Sequence, residues 1–175
     1  MQEDSLDQAA LQNYLSRHVP QVGQIQSLEK FSDGQSNPTY LLQTSTGQVV
    51  LRRQPPGELL KSAHAVDREF RVIEALQDSE VPVARAIHLC QQREVIGSLF
   101  YLMSYEPGRI FWDPTLPELK PAERGEIYDE MNRVLAALHD VDLEAAGLAD
   151  FGRPGNYFER QVSRWSGQYL SLIHI

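Results

Sequence analysis

The stretch FSDGQSNPTYLLQTSTGQVVLRR, from Phe31 to Arg53, decides the fold of this chain. Alternating apolar and polar residues predict one strand leading into it, over Ile25–Phe31, and two strands within it, over Thr39–Thr44 and Gln48–Arg53. The short turn signal STG joins the last two strands. The stretch therefore predicts an antiparallel meander with a polar turn between its first and second strands.

Further elements are predicted on both sides of this meander. Before it, apolar residues recur on one helical face over Ser5–His18, and Pro20 ends that helix. After it, a second apolar stripe predicts a helix over Ser62–Gln77 that packs onto the sheet. Two more strands are predicted, one entered at Val81–Val83 and one over Ser98–Tyr105. The fold class is therefore α+β.

The second half of the chain is predicted to be helical. The segment FWDPTLPELKP contains three prolines and predicts a loop, after which Ala122–His139 has a strong helical pattern with Pro121 at a favoured first-turn position. A further helix is predicted over Tyr157–Tyr169. Five apolar residues form the predicted buried face of the first of these helices: Ile127, Met131, Val134, Leu135 and Leu138.

Composition excludes several function classes. The 175 residues carry a formal net charge of −8, so most of the surface repels nucleic acid and anionic lipid, and neither is expected as a partner. The N-terminal MQEDSLDQAA lacks the regions of a secretory signal, and no apolar run has the length of a membrane span, so a cytoplasmic location is expected. The single cysteine, Cys90, is expected to be a buried small hydrophobe.

The polar turn at 32–37 can bring backbone N–H groups close to phosphate oxygens, and Gly34 allows a tight approach. Taken alone, a plain hairpin loop is the commoner explanation of such a turn. Two other residues favour phosphate binding: Arg52 lies on the third strand, and Glu69 lies on the next helix, where it can brace that cation. The alternative is that these charges form a solvated surface.

The run FYLMSYEPG, over Phe100–Gly108, predicts a strand that becomes a connector whose free backbone groups can bind the edge of a base. An edge strand with a turn is the alternative. His64 is predicted to lie on the second helix, one turn before Arg68. Its ring either faces the polar turn or caps and packs, and packing is favoured because no second metal ligand stands at a suitable spacing.

Together with SAHAVDREF, GRIFWDP, LAALHDVD and DFGRPGNYFERQVSRW, these blocks resemble the aminoglycoside phosphotransferase and choline kinase-like family. They are most similar to the kinase-like domain of acyl-CoA dehydrogenase fusion proteins and its bacterial stand-alone relatives. The resemblance implies a protein kinase-like N-terminal lobe over 1–103, followed over 104–169 by a hinge and the first helices of a truncated C-terminal lobe. It implies ATP and Mg²⁺ as cofactors and a small-molecule hydroxyl as acceptor, with a hydroxyacyl-CoA as candidate substrate and an acyl-CoA dehydrogenase domain as candidate partner.

The resemblance also assigns nucleotide-binding roles to nine residues. They are Gly34, Gln35, Ser36 and Asn37 in the loop that covers the phosphates, Arg52 as the third-strand cation, Glu69 as its helix partner, Met103 as the guard of the adenine pocket, and Ser104 and Glu106 as main-chain partners of the base. One position departs from the pattern, because most kinases have lysine where Arg52 stands. Arginine is planar and forked, so its hold on phosphates differs in geometry.

The triplet Asp150-Phe151-Gly152 spells a metal-binding motif of protein kinases, with His139 and Asp142 ahead of it. The spacing rules this motif out, because no asparagine follows Asp142 at the required interval and no strands separate the two segments. His139 is instead expected to end its helix, where its partial charge suits the dipole. No catalytic residue and no metal ligand is therefore assigned, and the catalytic groups are expected beyond Tyr169.

Three consequences of this layout are expected. The 175-residue chain alone has no kinase activity, and part of the apolar face at Met131, Leu135 or Leu138 is uncovered. The last six residues, LSLIHI at 170–175, resemble a translated library adaptor and are expected not to be native. Two alternatives to an enzyme remain: a non-catalytic nucleotide-binding or pseudokinase-type interaction module, and an α+β domain whose loop binds nothing.

Overall fold

The computed structural model describes residues 6–31, 36–55, 57, 64–152 and 155–173. The chain divides into two compact units, Met1–Val141 and Asp142–Ile175. The predicted lobe boundary after residue 103 is a different kind of division and stays a prediction. Helices and strands follow one another as α1 (Gln8–His18), β1 (Ile25–Lys30), β2 (Thr39–Thr44), β3 (Gly47–Arg53), α2 (Val66–Ala75), β4 (Ala86–Cys90), β5 (Phe100–Ser104), α3 (Pro121–His139) and α4 (Tyr157–Ile173), with a single 3-10 turn at Pro20–Val22.

The five strands form one sheet in the order β1-β2-β3-β5-β4, and every neighbouring pair is antiparallel. The predicted meander is confirmed, and the predicted α+β class is confirmed with it. In register, Thr39 pairs with Arg52 and Arg52 pairs with Tyr101, so these three residues form a row across β2, β3 and β5. Because side chains alternate along a strand, all three point to the same face of the sheet.

Helix α1 covers the opposite face. Asp7 caps the helix by accepting a hydrogen bond from the Ala10 backbone N–H at 2.9 Å. The apolar side of α1 is fully buried at Leu11 and Leu15 and packs against inward-facing strand residues. The cluster also contains Tyr40, Leu42, Val49, Leu51, Cys90, Phe100 and Leu102, so the expectation that Cys90 is buried is confirmed.

A polar clasp joins α1 to the start of the sheet. The side chain of Gln12 accepts the Ile25 N–H at 2.6 Å and donates to the Gly23 carbonyl at 3.4 Å. Gly23 has a φ of 78°, and a Cβ there would stand 2.4 Å from the Ser45 hydroxyl oxygen, so only glycine fits this close approach. The clasp therefore fixes where the chain leaves α1 and enters β1.

Helix α2 lies on the face that carries the cross-strand row. Its Val66 and Phe70 pack with Tyr101, and the rings of Phe70 and Tyr101 meet edge to face with centroids 5.7 Å apart. Two predictions are corrected here. His64 precedes the helix and has a φ of 56°, which is incompatible with a helical residue. The strand entered at Val81–Val83 instead begins at Ala86, since Pro82 has no N–H to give to a sheet.

Helix α3 begins at Pro121, as predicted, and the Glu123 carboxylate accepts the Lys120 N–H at 3.0 Å. It ends at His139, which confirms that prediction too. The predicted buried face of α3 is wrong, because none of its residues is buried. The expectation that Met131, Leu135 and Leu138 are uncovered is confirmed by exposed fractions of 59%, 50% and 45%.

The second unit contains α4, which extends over Tyr157–Ile173 and is longer than predicted. Ahead of it, Asp142 accepts the backbone N–H groups of Glu144 and Ala145, and Leu148 is buried within the same turn-rich segment. In the part of the chain that the structure describes, no helix combines the length and the apolar character that a membrane crossing requires.

Candidate functional site

The site is built on the row formed by Thr39, Arg52 and Tyr101, with Glu69 of α2 above it. Arg52 Nε donates to Glu69 Oε2 at 2.7 Å, and Arg52 Nη1 donates to the Thr39 hydroxyl at 3.1 Å. The structure thus brings together the strand cation and the helix carboxylate that the sequence places on separate elements. These two hydrogen bonds, one to Glu69 on α2 and one to Thr39 on β2, fix the plane of the Arg52 guanidinium.

The Arg52–Glu69 ion pair is only partly buried, since its two side chains retain 30% and 35% of their exposure. A pair with this much contact with water contributes about 1 kcal/mol or less to folding, because the solvent screens the charges. Stability therefore does not explain why three further residues, Thr39, Asn37 and Tyr101, hydrogen-bond to the pair. A role in positioning the guanidinium explains the arrangement better.

Glu69 receives two further hydrogen bonds. Asn37 Nδ2 donates to Glu69 Oε1 at 2.7 Å, and the Tyr101 hydroxyl donates to Glu69 Oε2 at 3.3 Å. Asn37 is buried, and its Oδ1 lies 2.9 Å from His64 Nδ1. His64 therefore faces the end of the polar turn, and the packing alternative favoured from the sequence is not what the structure has.

The remaining residues of the polar turn are less defined. Ser36 is exposed beside Asn37, at the point where the turn enters β2. Gly34 and Gln35 lie outside the described residues. The predicted phosphate-covering roles of all four stay predictions.

Arg52 has donors to spare. A guanidinium carries five N–H groups, and the two hydrogen bonds of Arg52 use one on Nε and one on Nη1. The structure records no partner among the described residues for the other three. Because these donors form a planar fork, they can bind two oxygens of one phosphate at the same time.

Tyr101 remains a neutral hydrogen-bond donor across the physiological range. Burial raises the pKa of its phenol above the ordinary value, and the negative charge of Glu69 raises it further. Sequence analysis missed both Tyr101 and Thr39 as site residues. The signal was present only in the strand register, which pairs each of them with Arg52.

The predicted base-binding residues lie at the end of β5 and just after it, with Met103 two positions beyond Tyr101. Met103 pairs with Val50 and packs against the cluster formed by Val66, Phe70 and Tyr101, so it lies on the same face as Arg52. The Ser104 N–H already donates to the Arg85 carbonyl at 2.9 Å and is not available to a base. The Ser104 hydroxyl lies 2.5 Å from a carboxylate oxygen of Glu106, which is exposed.

No metal site is found in the described parts of the chain, where no three His, Cys, Asp or Glu side chains gather at ligand spacing. The carboxylate of Asp142 is engaged by two backbone N–H groups in a turn, as a structural aspartate would be.

Comparison with known proteins places this site in a family. Residues 27–172 match the sequence profile of the Phosphotransferase enzyme family. The chain belongs to this family. The matched range includes the cross-strand row, α2, β5 and both C-terminal helices, so the family assignment covers every element of the candidate site.

Curated relatives of this phosphotransferase-family chain have names that refer to acyl-CoA dehydrogenases. It is 46% identical over 167 residues to Acyl-CoA dehydrogenase family member 10 of Mus musculus. The aligned region covers 94% of this chain and 16% of the relative. It is 39% identical over 176 residues to Acyl-CoA dehydrogenase family member 11 of Homo sapiens, covering 98% of this chain and 23% of the relative. The chain thus spans less than a quarter of either relative.

A solved structure shares the fold. The protein from Ralstonia eutropha described as a "putative aminoglycoside phosphotransferase" superposes with a TM-score of 0.79 at 47% identity, over 94% of this chain and 47% of that one. The five-stranded antiparallel sheet with its helices therefore has the kinase-like fold of this phosphotransferase family, as the resemblance implied.

Proposed function

We propose that this chain provides the nucleotide-binding part of an ATP-dependent phosphotransferase that phosphorylates a hydroxyl group of a small molecule. The observation that carries the proposal is the ordered set of bonds around Arg52, in which Glu69 and Thr39 fix the guanidinium and leave three N–H donors without a partner among the described residues. Phosphate oxygens are the ligands that such a fork prefers.

In this proposal each part of the site has a separate task. Arg52 binds phosphate oxygens, and the turn with Gly34, Gln35, Ser36 and Asn37 covers them with backbone N–H groups. Met103 contacts the base from the sheet, and the connector after Ser104 offers main-chain groups to its edge, with Glu106 replacing the engaged Ser104 N–H. Mg²⁺, when bound, neutralises charge on the transferring phosphate, and its ligands belong to parts outside the described residues.

The acceptor that we propose is a hydroxyacyl-CoA thioester. The support comes from the curated relatives, which are named as acyl-CoA dehydrogenase family members. An acyl-CoA dehydrogenase domain is accordingly the proposed partner, and a cytoplasmic location remains part of the proposal. The 175-residue chain contains no H-G-D-x-x-x-x-N block, so it is not expected to turn over by itself.

A second candidate function is a non-catalytic nucleotide-binding module. One observation favours it: Arg52 occupies the position where most kinases have lysine, and a forked guanidinium holds phosphates in a different geometry from a point charge. An ATP-dependent phosphorylation assay of the longer Ralstonia eutropha protein with a hydroxyacyl-CoA separates the two. Phosphorylated product supports the enzyme, and nucleotide binding without product supports the module.

Nucleotide binding by this chain is tested by isothermal titration with a non-hydrolysable ATP analogue, with and without Mg²⁺. Loss of the guanidinium in Arg52→Ala should weaken binding about 10- to 100-fold, because hydrogen bonds to charged groups contribute about 1.5–3 kcal/mol. Arg17→Ala is the matched control, since Arg17 is exposed on α1, the helix that covers the other face. Equal affinity of Arg52→Ala and the parent chain would overturn the proposed site.

A further inference from the structure

We propose that His64 is a positioning residue of the nucleotide site: its Nδ1–H fixes the amide of Asn37, which in turn holds Glu69 against Arg52. This inference rests on the proposed nucleotide-binding function and goes beyond it, because it makes phosphate binding by Arg52 depend on a residue that reaches Arg52 only through Asn37 and Glu69. Three observations carry it: the orientation of Asn37, the proton on His64, and the backbone that holds His64.

The orientation of Asn37 follows from its partners. The amide atom 2.7 Å from Glu69 Oε1 faces a carboxylate, which only accepts hydrogen bonds, so this atom must be the NH₂ group. The Asn37 carbonyl oxygen is then the atom that faces His64. Asn37 is 3% exposed, so water cannot readily replace either partner.

The proton on His64 follows from the same chain of bonds. Because Asn37 Oδ1 is an acceptor, His64 Nδ1, which lies 2.9 Å away, must carry the hydrogen. The network therefore assigns the Nδ1–H form of the ring. His64 thus donates a hydrogen bond to Asn37, and Asn37 donates one to Glu69. Glu69 also accepts a hydrogen bond from Arg52.

The backbone of His64 is held as firmly as its ring. Its φ of 56° lies in the left-handed region, which costs free energy for a residue with a side chain. The buried Gln54, directly after β3, donates to the His64 carbonyl at 3.0 Å, and Arg93 donates to Gln54 Oε1 at 3.0 Å. The strained conformation is thus maintained from β3 and from the β4–β5 connection, and it aims the ring at Asn37.

The consequence concerns Glu69. Oε2 of Glu69 accepts hydrogen bonds from Arg52 and Tyr101, whereas Asn37 is the partner of Oε1 among the described residues. If His64 lets the Asn37 amide rotate, Oε1 loses its donor and the carboxylate is free to turn away from Arg52. The Arg52 donors that have no partner among the described residues then lose the orientation that phosphate binding requires.

Two variants separate the ring from the backbone. His64→Asn tolerates the left-handed conformation and keeps an N–H donor on the δ position, whereas His64→Gly keeps only the conformation. We expect His64→Gly to weaken binding of the ATP analogue about 5- to 20-fold, as for one lost hydrogen bond in a charged network. His64→Asn should remain within about threefold of the parent, and Asn37→Ala combined with His64→Gly should add little to either single change.

A second measurement needs no nucleotide. Long-range ¹H–¹⁵N spectra of the unliganded chain should show a proton on His64 Nδ1 that is shared with Asn37, and Asn37→Ala should shift the ring towards the common Nε2–H form. If the parent chain binds no analogue, the proposed function fails, and the spectra still decide the His64–Asn37 bond. If Arg52→Ala loses binding and His64→Gly does not, the proposed function stands and His64 has no positioning role. An Nε2–H ring in the parent would also overturn the inference.

Discussion

Glu69 accepts hydrogen bonds from three different parts of the chain. The donors are Arg52 on β3, Tyr101 on β5 and Asn37 in the loop before β2. At the scale of single residues, Arg52 and Glu69 could be proposed from the sequence because each lies on a regular element in the expected order. Tyr101 and Thr39 could not, because only the register of β3 with its two neighbours brings them to Arg52. The position of His64 depends on a left-handed backbone that helical periodicity does not encode.

Replacing Tyr101 by phenylalanine tests the donor to Glu69. The ring and its packing on Phe70 are kept, so the change removes one hydrogen bond from a buried hydroxyl to a carboxylate. We expect a loss of about 1–2 kcal/mol in the free energy of unfolding, measured by urea denaturation. Tyr105→Phe is the matched control, and the structure records no hydrogen bond of the Tyr105 side chain among the described residues. Equal stabilities of the two variants would contradict the assigned role.

His88 should make the stability of the fold depend on pH. Burial lowers the pKa of His88 from its ordinary value of 6.5, and the nearby His18 lowers it further. The Tyr14 hydroxyl and His88 Nε2 lie 2.9 Å apart and form a hydrogen bond. Since the unfolded chain binds a proton more tightly, stability is fully present above pH 6.5 and falls as the pH drops from there towards the lower folded-state pKa.

The measurement is the urea midpoint between pH 7.5 and 5.5, a window above the titration of carboxylates. His88→Gln keeps an amide group near the Nε2 position without a proton to gain, so its midpoint should change less over this window. His139→Gln removes an exposed histidine at the end of α3 and should keep the slope of the parent. A parent midpoint that is constant with pH would refute the role of His88.

At the scale of elements, the strands were predicted most closely, because alternation and turn residues are local signals. β2 matches its prediction at both ends, and β3 differs by one residue at its start. Helix α2 begins later than its apolar stripe suggested, since the left-handed His64 interrupts the segment. The apolar stripe of α3 was recognised correctly, but burial depends on a neighbour that periodicity cannot reveal.

The two apolar helix faces should differ sharply in their contribution to stability. Leu15 of α1 is fully buried, whereas Leu135 of α3 is 50% exposed. We expect Leu15→Ala to cost about 2–4 kcal/mol in urea denaturation, through lost burial and a cavity. The same substitution at Leu135 should stay within about 0.5 kcal/mol, because it opens no cavity and alanine favours the helix. A large loss at Leu135 would show that its face is covered in solution.

At the scale of the whole molecule, the described chain combines a sheet that is packed against α1 with two helices that expose large apolar side chains. One face of the sheet is closed by α1, yet α3 exposes Met131, Leu135 and Leu138, and α4 exposes Phe158 and Trp165. Exposed apolar side chains on a helix promote association in water. The α+β class could be predicted from the sequence and agrees with the family. The exposure of α3 and α4 could not, because it depends on which elements lie next to each helix.

We expect the 175-residue chain to associate in a concentration-dependent manner, measured by size-exclusion chromatography with light scattering. Met131→Glu combined with Leu135→Glu should reduce association by introducing charge into the exposed face. Ala122→Glu combined with Ala136→Glu adds the same charge on the opposite side of α3 and should have a smaller effect. A sharply melting monomer at every concentration would contradict the prediction.

Side chains alternate between the two faces of β3, so that neighbouring residues have different roles. Val49 and Leu51 face α1 and hold the fold, while Arg52 faces the proposed ligand. Substitutions on one face of β3 can therefore accumulate while the residues on its other face stay unchanged. Changes at Arg52 would alter the proposed anion binding with a small effect on folding free energy, whereas changes at the buried Leu51 would first lower stability and abundance. A single strand thus gives the molecule two nearly independent routes of adaptation.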